Sequence, residues 1–169
     1  GKTILSALDV KQTKLEKILF IVHINEILKQ TKESFERVIP EMKEEMGFYT
    51  GKQKDKDKKI LFASIQTIGK QKHLESFPVD YFDYIIIDET HHTAAPTYTK
   101  IFNHFRPKFF LGLTATPDRM DRKDILGFYE NNVVFEMNQE QAIEQGYLAP
   151  FQYLGFKDNI DYSNIYFNG

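Results

Sequence analysis

The chain has 169 residues, of which 41% are hydrophobic and 14% aromatic, enough to fill the core of one globular domain. It contains no cysteine, which excludes a disulfide framework and a thiolate metal site and agrees with a reducing, cytoplasmic compartment. The formal net charge of −2 excludes a uniformly basic nucleic-acid binder, so any DNA or RNA contact has to be local; no apolar run reaches the roughly 20 residues of a membrane span, and the N-terminus lacks the apolar core of a signal peptide.

In chain order, Gly1-Lys2-Thr3 matches the last three residues of the phosphate-binding loop G-x-x-x-x-G-K-[ST], and Thr3 to Leu8 would begin the helix that follows such a loop. The tripeptide alone is weak evidence, because the strand before the loop and its first residues are not in the sequence. Ile18 to Val22 is a continuous apolar run that predicts a strand, and Ile24, Ile27, Leu28, Thr31, Phe35 and Val38 then fall at helical spacing. Lys52 to Lys59 holds five lysines and two aspartates, read either as a solvated loop or as a loop that contacts phosphate. Further strands are predicted at Ile60 to Ile65, Tyr84 to Ile87 and Phe109 to Leu113, with a short helix carrying Ile101, Phe102 and Phe105 before the last of them. Asn138 and Gln141 have capping-box spacing, and Gly146 followed by Pro150 supplies a stop, which predicts a helix near 139–145; Phe151 to Phe156 reads as another strand.

The apolar runs are continuous rather than alternating, as expected for strands buried on both faces of a parallel sheet. Strand and helix in alternation predict an open α/β sheet with right-handed crossovers, whose reactive loops follow the carboxyl ends of the strands. That rule places His23 and Asn25, Gln66 and Thr67, Asp88 to His92, and Thr114 and Thr116 on one rim. No internal repeat is present.

Asp88-Glu89 directly follows a predicted buried strand. One carboxylate there would hold Mg²⁺ and the other would orient a water for attack on a γ-phosphate, with Lys2 on the phosphates and the Thr3 hydroxyl on the metal. A helix N-cap with a first-turn acid would also place an Asp-Glu pair after a strand, but it leaves His91 and the Thr114-Ala115-Thr116 run unexplained. A hydrolytic zinc centre is disfavoured, because His91 and His92 are adjacent and point apart. Most of the fifteen phenylalanines read as core, leaving Tyr49 and Tyr98 as the candidates for stacking on bases.

The stretches Val22 to Leu28, Ala63 to Thr67, Asp88 to His92 and Phe105 to Pro117, in this order and spacing, resemble a superfamily 2 DEAD/DEAH-type helicase, in the branch of the translocating (Res) subunit of type III restriction endonucleases. The resemblance implies a three-layer α/β fold, the first of two RecA-like P-loop domains, with a mainly parallel sheet lacking the strand before the P-loop. It implies an ATP-binding domain over residues 1–147 and, over 148–169, the start of a connection to a second RecA-like domain. By the same resemblance Gly1, Lys2 and Thr3 bind ATP, Thr3 and Asp88 hold Mg²⁺, and Asp88, Glu89 and His91 are catalytic. His23, Asn25, Gln66 and Thr67 touch the nucleic-acid backbone, and Thr114 and Thr116 couple hydrolysis to strand movement. The expected activity is that of an ATP-dependent helicase or translocase on nucleic acid, with duplex DNA favoured. The expected partner is the second RecA-like domain, whose arginine would complete the site, so this segment alone is expected to hydrolyse little ATP. Thr90 stands where commoner versions of the motif have Ala. The alternatives are a non-catalytic nucleic-acid-binding or scaffold domain with the helicase fold, and a P-loop switch or transporter ATPase, which Thr114-Ala115-Thr116 and His91-His92 disfavour.

Overall fold

The computed structural model describes residues 1–89, 96–115 and 127–150, with the side chain of Asn25 left aside. The chain divides into two compact units, Gly1–Asn132 and Val133–Gly169.

The first unit is built on five strands: β1 Ile18–Val22, β2 Met46–Tyr49, β3 Ile60–Ser64, β4 Tyr84–Asp88 and β5 Phe109–Leu113. They form one sheet in the order β2-β3-β1-β4-β5, and every neighbouring pair is parallel. Every residue of β1 and β3 is buried, as are Tyr84 to Ile87 of β4, which accounts for the continuous apolar runs. Successive side chains alternate between two cores. Leu19, Ile21, Leu61, Ala63, Ile85 and Ile87 meet Phe77, Tyr98, Ile101 and Phe105 on one face. Ile18, Phe20, Ile60, Phe62, Tyr84 and Ile86 meet Ala7, Val10, Leu28, Phe35 and Ile39 on the other. Helices α1 (Lys2–Gln12) and α2 (Asn25–Val38) therefore cover the second face. The first is covered by α3 (Ile65–Ile68), α4 (Gln71–Leu74) and α5 (Pro96–His104). Phe35 of α2 stands edge-on to Phe20 and Phe62, with ring centroids 5.5 and 5.1 Å away, an arrangement that locks α2 onto the two central strands.

The structure differs from the sequence expectation at three places. Ile24 is not part of the apolar stripe of α2: it is the extended residue before the helix and is 48% exposed. Ile65 belongs to the first turn of α3 rather than to β3. β5 is not buried on both faces: Phe109 is 43% exposed and Phe110, Leu111 and Gly112 are half-buried, because among the described strands β5 pairs with β4 alone.

β2 was not foreseen, since Met46-Gly47-Phe48-Tyr49 is short and interrupted by glycine. That glycine has a purpose. The β2–β3 loop folds back along the outer edge of β2, where the Asp55 amide donates to the Phe48 carbonyl at 3.0 Å and the Phe48 amide to the Asp55 carboxylate at 2.9 Å. A Cβ at Gly47 would lie 2.6 Å from the Asp55 Cβ, so only glycine admits the loop this closely. The loop thereby occupies an edge that would otherwise be open to pairing.

In the second unit, α6 (Gln139–Glu144) carries the expected capping box. The Gln141 amide donates to the Asn138 side chain at 2.8 Å, and the Asn138 amide donates to the Gln141 side chain at 3.0 Å. Gly146 then ends the helix at φ +76°. The strand expected at 151–156 lies outside the described residues. No helix among those residues is long and apolar enough to cross a membrane.

Candidate functional site

Parallel pairing brings the strand ends into line. Val22 is level with Ser64, Ile21 with Ile87 and Asp88 with Leu113, so the residues just beyond β1, β3, β4 and β5 share one rim. Glu89 and Thr114 sit there, with exposed His23 and Gln66 beside them. The Gln66 side chain donates to the His23 carbonyl at 2.5 Å and joins the exits of β1 and β3. Thr67 is 7% exposed and its hydroxyl accepts from the Ser64 hydroxyl at 3.0 Å, so it points into the domain while Gln66 points out. Asn25 opens α2. His91 and Thr116 lie outside the described residues.

α1 delivers Lys2 to this rim. Gly1 is its N-cap and provides no side-chain cap for the first-turn N–H groups. The Lys2 ammonium donates to the Glu89 carboxylate at 2.6 Å and lies 3.8 Å from that of Asp88. Residues 86 and 87 positions apart are thus joined, with the Asp88 side chain 14% exposed and those of Lys2 and Glu89 about a third exposed. Glu89 has φ +54°, the left-handed region that a residue with a side chain occupies at a cost. The Glu89 amide also donates to the Asp88 carboxylate at 3.1 Å, which holds the two acids in a tight turn at the end of β4.

Among the described residues no cluster of three or more histidine, aspartate or glutamate side chains could hold a metal by itself. The donor set instead suits a cation held mostly by nucleotide oxygens and water, to which Asp88 and Thr3 would each add one oxygen. The two tyrosines considered for base stacking are both 1% exposed and therefore cannot serve. Tyr49 donates or accepts at His73 Nδ1 in the core. Tyr98 lies under the rim, where burial and then the Asp88 carboxylate raise its phenol well above the usual range. Its hydroxyl has no hydrogen-bond partner among the described residues. The helical spacing of Tyr98, Ile101 and Phe105 was the signal that Tyr98 belongs to the core.

An all-parallel sheet with helices on both faces, and a helix N-terminus facing two acids at a strand end, define a RecA-like α/β domain. The chain belongs to the family described as type III restriction enzyme, res subunit, whose profile matches residues 1–119. It is 27% identical over 157 residues to IRC3 of Saccharomyces cerevisiae, named provisionally as an ATP-dependent helicase, which covers 88% of this chain and 22% of that protein. It is also 27% identical over 158 residues to the type I restriction enzyme EcoAI endonuclease subunit of Escherichia coli, covering 89% of this chain and 19% of that one. Among solved structures, the Hef helicase domain of Pyrococcus furiosus superposes with a TM-score of 0.65 at 21% identity, over 77% of this chain and 31% of that one. The chain thus spans about a fifth of the length of these two curated relatives.

Proposed function

We propose that this chain is the ATP-binding, first RecA-like domain of an ATP-dependent helicase or translocase that acts on nucleic acid, with duplex DNA as its substrate. The reading rests chiefly on one observation, the ion pairing of Lys2 with Asp88 and Glu89 across about half of the chain. Membership of the family and the helicase and restriction relatives agree with it.

In this reading the Lys2 ammonium exchanges the Glu89 carboxylate for the oxygens of the β- and γ-phosphates. The first-turn N–H groups of α1, at the positive end of the helix dipole, receive further phosphate oxygens. Released from Lys2, Glu89 accepts a hydrogen bond from a water in line with the γ-phosphate and takes up its proton as the new oxygen–phosphorus bond forms and the bond from the γ-phosphorus to the β–γ bridging oxygen breaks, so that ADP leaves with that oxygen and inorganic phosphate is released. Mg²⁺, when bound, would neutralise phosphate charge and polarise the γ-phosphate. Asp88 and the Thr3 hydroxyl would hold it. His91 would connect this site to the Thr114–Thr116 segment. His23, Asn25, Gln66 and Thr67 form the nucleic-acid side of the rim, Thr67 by bracing α3 and Gln66 by contact. Residues 148–169 lead towards a second RecA-like domain that supplies the remaining positive charge, in a cytoplasmic protein.

Two substitutions in the full-length protein test these roles. Lys2→Ala should weaken ATP binding, whereas Glu89→Gln should bind ATP as tightly as the wild type and lose turnover by about 10²- to 10⁴-fold. Wild-type turnover in Glu89→Gln would overturn the assignment.

A further inference from the structure

The lysine-rich loop lies outside the ATP site, and the fold gives it company. Lys54 sits beside Tyr49, the last residue of β2, through an antiparallel bridge. Tyr49 reaches across to α4, where its hydroxyl hydrogen-bonds His73 Nδ1 at 2.9 Å and Ser76 Oγ at 3.3 Å. This buried link fixes the β2–β3 loop against the segment that carries Lys70, the residue before α4, and Lys72 within it. Lys54, Lys70 and Lys72 are all exposed, and none has a carboxylate within 4.0 Å among the described residues. Of the acids nearest in sequence, Asp55 accepts from the Phe48 amide and the Gln53 side chain and Glu75 from the Gln71 side chain, while the carboxylate of Asp57, three residues after Lys54, lies more than 4.0 Å from all three ammonium groups. Lys56 is also engaged, donating to the Ser76 carbonyl at 3.2 Å and lying 4.8 Å from the centre of the Phe77 ring. In a chain of net charge −2, three unpaired ammonium groups from two separate segments are a local concentration of positive charge.

We propose that Lys54, Lys70 and Lys72 form a phosphodiester-binding surface that holds nucleic-acid backbone at the β2 end of the rim. This inference rests on the nucleic-acid reading above and extends it to a site that the helicase motifs do not include. Gln66 and His23 lie between this surface and the acids at the end of β4. With strands about 4.8 Å apart, the three steps from β2 to β4 span about 14 Å, the rise of about four nucleotides of one strand. A backbone laid along the rim from the motif residues therefore reaches these lysines without bending. The same lysines are felt inside the fold: burial first, and then Lys54, Lys72, Lys70 and Lys56, hold His73 below its ordinary value.

The test uses the full-length protein with Lys54, Lys70 and Lys72 changed together to Gln and, in a companion variant, to Arg. Binding of a labelled random-sequence DNA duplex is followed against salt concentration. The Gln variant should lose affinity, and its plot of log K against log salt should be shallower by about 2 to 3, while the Arg variant follows the wild type. ATP hydrolysis without DNA should be the same in all three. A Gln variant with wild-type affinity and slope overturns the lysine surface alone. Equal loss in the Arg variant also overturns it, because charge would then not be the cause. If the wild type binds neither DNA nor RNA, the nucleic-acid reading falls and this surface with it.

Discussion

Glu89 combines two properties that folding alone would not select, a left-handed backbone and a carboxylate held by a lysine 87 positions earlier in the chain. Strain of this kind persists where surrounding contacts over-determine it, here the pairing of β4 and the Lys2 contact. Asp88 and Glu89 were legible as a pair because they follow an apolar run. Their meeting with Lys2 was legible only through the motif, since nothing in local spacing brings positions 2 and 89 together. Tyr98 was misread, because an aromatic in a polar stretch looks accessible until the helix face it shares with Ile101 is known. Its buried hydroxyl costs desolvation and, among the described residues, makes no hydrogen bond in return. Tyr98→Phe should therefore raise stability in chemical denaturation by about 1 kcal/mol; a loss of stability would mean that the hydroxyl is satisfied.

The strands predicted at β1, β3 and β4 and the crossover helix α2 emerged because their signal is dense: buried apolar runs and an apolar stripe with Phe35 at its centre. β2 and the single-turn helices α3 and α4 stayed hidden, being too short for periodicity and fixed by contacts distant in sequence. One such contact is Gly69, where an added Cβ would lie 2.2 Å from the Thr97 methyl at the start of α5. Gly69→Ala should destabilise by about 1–3 kcal/mol, and Thr97→Ser, which deletes that methyl, should restore part of the loss in a thermal melt; additive effects would argue against the contact. Another is Asp83, just before β4. It accepts from the Glu16 and Lys17 amides at 3.0 and 3.1 Å and pairs with Lys108 at 2.8 Å, tying the starts of β1, β4 and β5 together. The Lys108 hydrogen bond foremost, with the two amides, outweighs burial and holds this carboxyl below its ordinary value of 3.8. Its contribution is accordingly complete above that value and is lost as pH falls through the lower folded one. Asp83→Ala should cost about 1–3 kcal/mol at neutral pH and narrow its gap to the wild type in acid; a gap independent of pH would contradict the carboxylate's role.

Across the whole molecule, charge is distributed by position rather than by sum. Acids and Lys2 meet at the β4 end of the rim, lysines without an ion-pair partner among the described residues gather at the β2 end, and buried His73 lies beneath the latter. Because the fold lowers the value of His73, the unfolded chain takes up a proton that the folded one refuses. Stability from this group is complete above about 6.5 and falls as pH drops through that value. His73→Gln should flatten the loss of thermal stability on mild acidification; an unchanged slope would assign the loss to other groups. The arrangement of the rim as one surface was legible from the rule that loops follow the carboxyl ends of parallel strands, whereas its lysine end depended on β2, which the sequence concealed. The role proposed for this rim is to turn nucleic-acid contact into ATP hydrolysis. Its most direct test is the rate of ATP hydrolysis by the full-length protein with and without duplex DNA, beside Glu89→Gln. Turnover should be stimulated by DNA and lost in Glu89→Gln; turnover indifferent to both DNA and RNA, or none at all, would overturn this role.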